Sequence, residues 1–243
     1  MEAIILAGGL GTRMLKINNK IPKTILDING KPFLVWIIKY LEMNNIKKII
    51  LCLGVQSQLV KNTIENFNFK KIKIQYITED KPLGTGGALI NAIDNINDKN
   101  FIFMNGDTIF DIKIEELFKE HIKNNNALTY SLIKLQKQNT DYGGISIQKN
   151  GVITEHKIGR SNSKNRIIDA GLRVLSKKFI KEYKINKNID RRISFENDIA
   201  PWLIKNKKVK GIIYDKDFFD IGNPVSYTCT VKYFDRIKNK IET

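Results

Sequence analysis

In the N-terminal half of the chain, short unbroken apolar runs alternate with stretches whose apolar residues recur at helical spacing. The runs Ala3–Ala7, Ile49–Leu53 and Phe101–Met104 have strand length. A strand reads as a continuous apolar run only when both of its faces are buried, so these predict interior strands of a covered sheet. Ile72–Ile77 alternates and predicts a half-buried strand, while Phe33–Met43, Ser57–Phe67 and Gly86–Ile96 carry helical spacing. Strands alternating with helices imply parallel units joined by right-handed crossovers. The predicted class is α/β: a Rossmann-like, mostly parallel mixed sheet flanked by helices.

The C-terminal half is less regular and predicts a small antiparallel addition. Leu128–Leu135, Gly144–Ile147, Ile168–Leu175 and Gly211–Tyr214 read as strands, and Asn150-Gly151 as a hairpin turn returning through Val152–Thr154. Phe195–Ile204 and Val225–Ile237 read as helices, and Trp36 and Trp202 fall within helical apolar patterns as core residues. The Lys- and Asn-rich stretch Lys184–Arg192 reads as a mobile surface loop. No internal repeat and no Pro/Ser-rich linker divides the chain, so residues 1–243 form one domain.

Composition excludes several classes. With 42% hydrophobic residues the chain can collapse around a core, and no apolar run approaches the ~18–20 residues of a membrane span. The N-terminus enters a strand pattern without a basic region or cleavage site, so no secretory signal is expected. Two cysteines, Cys52 and Cys229, do not make a disulfide scaffold, and a reducing cytoplasm is the predicted location. The net charge of +16 comes mostly from lysines scattered in pairs such as Lys47-Lys48, Lys70-Lys71 and Lys207-Lys208. Nucleic-acid binders gather arginines and aromatics on one surface, so this pattern predicts no nucleic-acid partner. It does favour a polyanionic small molecule.

The strongest local signal is Leu6-Ala7-Gly8-Gly9-Leu10-Gly11-Thr12-Arg13, directly after the first strand. Glycines there let the backbone approach a ligand and aim its amides at phosphate oxygens, and Arg13 adds a forked positive charge. The spacing fits neither the dinucleotide fingerprint nor the P-loop; a purely structural tight turn is the competing reading. Lys23 follows Pro22, where a surface charge is the plain alternative. A second glycine cluster, Pro82-Leu83-Gly84-Thr85-Gly86-Gly87-Ala88, reads as a flexible helix start or as a flat floor for a base and ribose. Asp107, in Asn105-Gly106-Asp107, stands at the carboxyl end of a predicted parallel strand, where open α/β sheets bind ligands; a helix- or turn-capping aspartate is the competing reading. Asp220 follows Phe218-Phe219. Two carboxylates with few histidines suit Mg²⁺, and His121, His156, Cys52 and Cys229 show no zinc spacing.

These ordered motifs resemble the sugar-1-phosphate nucleotidylyltransferases over nearly the whole chain, and most closely the short bacterial D-glycero-D-manno-heptose 1-phosphate guanylyltransferases. The resemblance implies that 1–110 is mainly nucleotide-binding and that 111–243 mainly binds sugar phosphate and supplies a second metal carboxylate. It implies a nucleotide site of Leu6, Ala7, Gly8, Gly9, Gly11, Thr12, Glu79, Gly84, Thr85 and Gly106, with Arg13 and Lys23 catalytic. It places Gly143, Lys157, Asp169 and Glu196 on the sugar phosphate, and one Mg²⁺ on Asp107 and Asp220. Glu196 reads equally well as a first-turn helix acid; Tyr142 and Tyr227 read as packing residues. The implied reaction joins an NTP, most simply GTP through Glu79, to a sugar 1-phosphate and releases pyrophosphate. The nucleophile is a phosphate oxygen already deprotonated at neutral pH (second ionisation near ~6), so no histidine base is required.

Three departures from the family pattern stand out. His156-Lys157 replaces Glu-Lys, Asp169-Ala170-Gly171 replaces Asn-Ala-Gly or Asn-Gly-Gly, and Asn223 with Val225-Ser226 replaces Thr and an acidic pair. The first two belong to the acceptor side. A cytidylyl- or uridylyltransferase on another phosphorylated acceptor, and a non-catalytic nucleotide-sugar-binding module, are the alternatives. A symmetric dimer is the ordinary prior for a soluble enzyme.

Overall fold

The computed structural model describes residues 1–9, 11, 21–135, 143–157, 166–186 and 191–242. Seven strands form one sheet in the order β12-β8-β11-β6-β1-β4-β5. Four of them, β1 (Glu2–Leu6), β4 (Lys48–Leu53), β5 (Lys73–Thr78) and β6 (Asn100–Asn105), run parallel. The long strand β11 (Arg166–Ser176) lies antiparallel between β6 and β8 (Leu128–Leu135), and β12 (Val209–Tyr214) closes the far edge parallel to β8.

The unbroken apolar runs are explained by burial on both faces. Successive side chains of a strand point to opposite sides. Ala3, Ile5, Ile49, Leu51, Ile102 and Met104 therefore enter one core, and Ile4, Ile50, Cys52, Phe101 and Phe103 enter the other. Helix α1 (Phe33–Met43) covers the first face with α8 (Asp235–Glu242), while α3 (Gly84–Ala92), α5 (Lys177–Asn186) and α6 (Ala200–Asn206) cover the second. Trp36 is fully buried and donates to the Ile28 carbonyl at 2.8 Å; Trp202 is half-buried against Tyr183.

Chain direction creates the site. From β1 the chain proceeds outward through α1, β4, α2 (Ser57–Glu65) and β5, then returns through α3 to the other side of β1 as β6. The loops leaving β1 and β6 diverge, opening a crevice at the carboxyl ends of the strands.

Three small antiparallel pairs supplement the sheet: β2 (Asp27–Ile28) with β3 (Lys31–Pro32), β9 (Gly144–Ile147) with β10 (Ile153–Lys157), and β7 (Thr108–Phe110) with β13 (Phe218–Asp220). The Tyr40 hydroxyl, 2.7 and 2.8 Å from the carbonyls of Phe110 and Ile112, ties α1 to the end of β7. Several expectations are corrected. The stretch read as a loop from Lys184 continues α5 through Asn186, because Ile180 and Tyr183 anchor that helix in the core. Helix α4 (Ile114–Lys123) was not anticipated: its charged sequence buries only Ile114, Leu117 and His121. The predicted final helix is two, α7 (Pro224–Tyr233) and α8.

Candidate functional site

Two cavities open along the carboxyl edge of the sheet. The larger, about 580 Å³, is rich in glycine. It is lined by Leu6, Gly8, Gly9 and Gly11 after β1, by Cys52 and Gly54 at the end of β4, and by Glu79, Gly84, Thr85 and Ala88 between β5 and α3. Gly8 must be glycine: a Cβ there would lie 2.8 Å from the Gly54 amide nitrogen, a backbone atom that cannot move aside. Thr12 and Arg13 lie outside the described residues, as does Tyr142. Ala7 and Gly106 are not among its lining residues; their amides donate to the carbonyls of Cys52 and Leu6 at 2.9 Å each.

Glu79 accepts a hydrogen bond from the Leu83 amide at 3.0 Å with one carboxylate oxygen. Burial raises its pKa, opposed by that hydrogen bond and by the charge of Arg192. Arg192 lines the same cavity and escaped the sequence reading, because it lies in a polar segment with no motif of its own. Cys52 is buried where it borders this cavity, and burial pushes its thiol up to about 12, which disfavours the thiolate a nucleophile needs.

The smaller cavity, about 260 Å³, is built from charged and polar side chains. Gly143, Lys157, Asp169, Glu196, Asp107 and Asp220 all line it. The β7–β13 ribbon brings the two aspartates together: Asp220 pairs in register with Thr108, and the Ile221 amide donates to the Asp107 carbonyl at 3.0 Å. A Cβ placed on Gly222 would sit 3.0 Å from Asp220 Oδ1 and 3.7 Å from Asp107 Oδ2, so both carboxylates face one small space that glycine keeps open. Among the described residues no group of three or more His, Cys, Asp or Glu could hold a metal ion. A two-carboxylate oxygen set of this kind fits a hard divalent ion that completes its shell with water and phosphate oxygens.

Lys23 lines neither cavity but touches a lining residue of each. Its stem packs under the glycine loop, within 3.3 Å of where a Gly11 Cβ would be, and its ammonium pairs with Asp107. Lys157 stands at the rim, 65% exposed and 3.2 Å from Glu155.

The departures acquire physical explanations. Asn223 caps α7: its side chain accepts from the amides of Val225 and Ser226 at 3.1 and 3.0 Å, and Ser226 reciprocates, so Asn and Ser supply a complete capping box. His156 meets Tyr130 edge-on, with Nδ1 3.1 Å from the phenol oxygen, and burial lowers its pKa toward the neutral imidazole. Asp169 is paired with Arg173, a residue the sequence reading missed.

In a regular strand residues four apart are separated by about 13 Å. Here the register slips between them: Asp169 opposes Leu132 and Arg173 opposes Tyr130, so four steps along β11 match two along β8. Gly171 takes up the slack at φ 77°, where other residues would be strained, and Arg173 Nε reaches Asp169 Oδ2 at 2.6 Å. Glu196, in the π-helical turn Phe195–Ile199, accepts from the hydroxyls of Thr85 and Ser194 at 2.8 and 3.0 Å. Its pocket position thus joins the helix-start role rather than excluding it.

Residues 2–235 match the Nucleotidyl transferase family model. The chain is 34% identical over 227 residues to the D-glycero-alpha-D-manno-heptose 1-phosphate guanylyltransferase of Aneurinibacillus thermoaerophilus, covering 93% of this chain and 95% of that one. The enzyme of the same name from Campylobacter jejuni subsp. jejuni is 33% identical, covering 93% and 97%. The crystal structure of HddC from Yersinia pseudotuberculosis complexed with GMP-PN superposes with a TM-score of 0.84 at 31% identity, covering 96% of this chain and 99% of that one.

Proposed function

Because this chain belongs to the nucleotidyl transferase family, we propose that it joins GTP to a sugar 1-phosphate, D-glycero-D-manno-heptose 1-phosphate being the first candidate, to give the GDP-sugar and pyrophosphate. The observation that carries the proposal is the pair of neighbouring cavities, one rich in glycine and one rich in side-chain charge, with the Lys23–Asp107 ion pair and the Thr85–Glu196 hydrogen bond between their linings. The similarity to two heptose 1-phosphate guanylyltransferases, and to a structure holding GMP-PN, supports the choice of base and acceptor.

The chemistry needs no proton abstraction. An oxygen of the acceptor phosphate attacks the α-phosphorus, the bond to the bridging oxygen breaks, and pyrophosphate leaves with the electron pair. The obstacle is repulsion between two anions, so catalysis consists of neutralisation and alignment. The free edge of the glycine loop and Arg13 hold the triphosphate tail, and Lys23 steadies the reacting phosphate. Lys157 attracts the incoming phosphate from the rim, while Asp169 and Glu196 orient the sugar by accepting from its hydroxyls. The partly buried Glu79 accepts from the N–H edge of the base. Asp107 and Asp220 would hold Mg²⁺, which when bound lends positive charge to both reacting phosphates. No described helix is long and apolar enough to cross a membrane, and the free thiols of Cys52 and Cys229 accord with a reducing cytoplasm.

Pyrophosphate release, measured with Mg²⁺ for each of four NTPs against a panel of sugar 1-phosphates, tests the reading. Release with GTP and the heptose phosphate is expected. Preference for another pair would move the specificity, and silence from folded, nucleotide-binding protein would leave a binding module.

A further inference from the structure

We propose that Arg173 is the positioning residue of the acceptor pocket: its buried guanidinium fixes the orientation of Asp169 by direct contact and, by its charge, lets Glu196 stand beside it, so that both carboxylates face the sugar. The inference rests on the assignment of the smaller cavity to the sugar phosphate.

Arg173 is 2% exposed in the middle of a sheet, in a position that an aliphatic residue would fill without desolvating a charge. Burying a guanidinium costs several kcal/mol unless its donors are matched. Here they are matched almost entirely by cavity-lining groups. Nε and Nη2 bind Asp169 Oδ2 at 2.6 and 2.5 Å, Nη1 lies 3.3 Å from Asn105 Oδ1, and Nη2 stands 3.9 Å from Glu196 Oε1. The rings of Phe103 and Phe195 lie near the guanidinium at 5.4 and 4.9 Å and limit how it can turn.

The consequence falls on the carboxylates. Asp169 Oδ1 is taken by the Gly171 amide at 2.9 Å, and Oδ2 by the arginine fork, so the group is held at both ends in a single orientation. Glu196 Oε2 accepts from Thr85 and Ser194, which leaves Oε1, too far from Arg173 for a good hydrogen bond, as the oxygen with capacity for a ligand. Burial pushes the Glu196 carboxyl up, but the Arg173 charge and the two hydroxyls outweigh it and hold the group below the usual range. It is therefore an acceptor-only group at neutral pH. Without Arg173 the two carboxylates would repel each other across the pocket and turn away.

Arg173→Lys keeps a positive charge and removes the fork, which makes it the discriminating variant. Calorimetry with a non-hydrolysable GTP analogue reads the nucleotide cavity, and pyrophosphate release at varied D-glycero-D-manno-heptose 1-phosphate reads the acceptor. The expected result is an acceptor KM raised about 10–100-fold with analogue affinity within about twofold of wild type. A crystal structure of R173K should show the Asp169 and Glu196 carboxylates displaced. Both constants unchanged, or both changed alike, would overturn the proposal. If wild type is silent with GTP and the heptose phosphate, the functional reading falls. The crystal structure of R173K then decides the role of Arg173: displaced carboxylates support it and unmoved ones reject it. Should R173K not fold, Arg173→Gln takes its place in the same measurements; if neither folds, Arg173 serves the fold alone and the proposal is wrong.

Discussion

The two cavities are built by opposite means. The larger cavity, proposed for the nucleotide, draws its glycines from the loop after β1, Gly54 after β4 and the start of α3. The acceptor cavity takes its character from side chains set far apart in sequence, on the β7–β13 ribbon, the β9–β10 hairpin, the slipped register of β11 and the turn at Glu196. Backbone recognition suits a triphosphate, which is alike for every NTP and needs amides and close approach. Side-chain recognition suits a sugar, whose identity lies in the direction of its hydroxyls. Acceptor preference can therefore change by substitution at a few positions, whereas the glycine loop tolerates little.

The largest effect should come where the cavities meet. Asp220→Asn keeps the hydrogen bond that Oδ1 accepts from the Gly222 amide at 2.9 Å but removes a charge, so kcat should fall about 1,000-fold with little change in melting temperature. Activity within tenfold of wild type would remove Asp220 from the metal site. Lys23→Ala severs the link between the glycine loop and Asp107, and turnover should drop about 100-fold while the fold persists. Near-normal turnover would take Lys23 out of the mechanism.

Gly8→Ala separates the two cavities. Its Cβ would collide with the Gly54 backbone, costing about 1–3 kcal/mol and lowering the melting temperature by about 2–10 °C. Nucleotide affinity should weaken while the acceptor KM holds, and equal losses on both would show that the cavities are not independent.

The smallest effect on activity should come from His121, 1% exposed and bonded to Thr129 at 2.9 Å and Ser176 at 3.2 Å, with no place in either cavity. Burial pushes its pKa down to about 4 from 6.5. The unfolded chain therefore binds a proton that the folded chain refuses between those values, and stability falls as pH drops through that window, by about 2–3 kcal/mol. His121→Gln should flatten the urea-midpoint profile from pH 6.5 to 4 and leave both KM values unchanged; an unchanged profile would assign the acid sensitivity to other groups.

What the chain declares locally came through well. The parallel strands are legible because burial on both faces demands unbroken apolar runs, as in Ile49–Leu53 and Phe101–Met104. Helices α4 and α5 were less so, since each buries only two or three residues and the remainder of its sequence is charged.

The sequence by itself determined the α/β class, the position of the glycine loop and the carboxylates at Asp107 and Asp220. Each is expressed by neighbouring residues and can be read from a short stretch of the chain. Only the tertiary structure decided the acceptor pocket. Whether Asp169 meets Arg173 depends on a register slip of two residues against β8, and whether Glu196 comes within 3.9 Å of Arg173 depends on how the turn at Phe195–Ile199 packs on α3. Such contacts follow from strand register and packing between distant segments, which no local pattern of residues specifies.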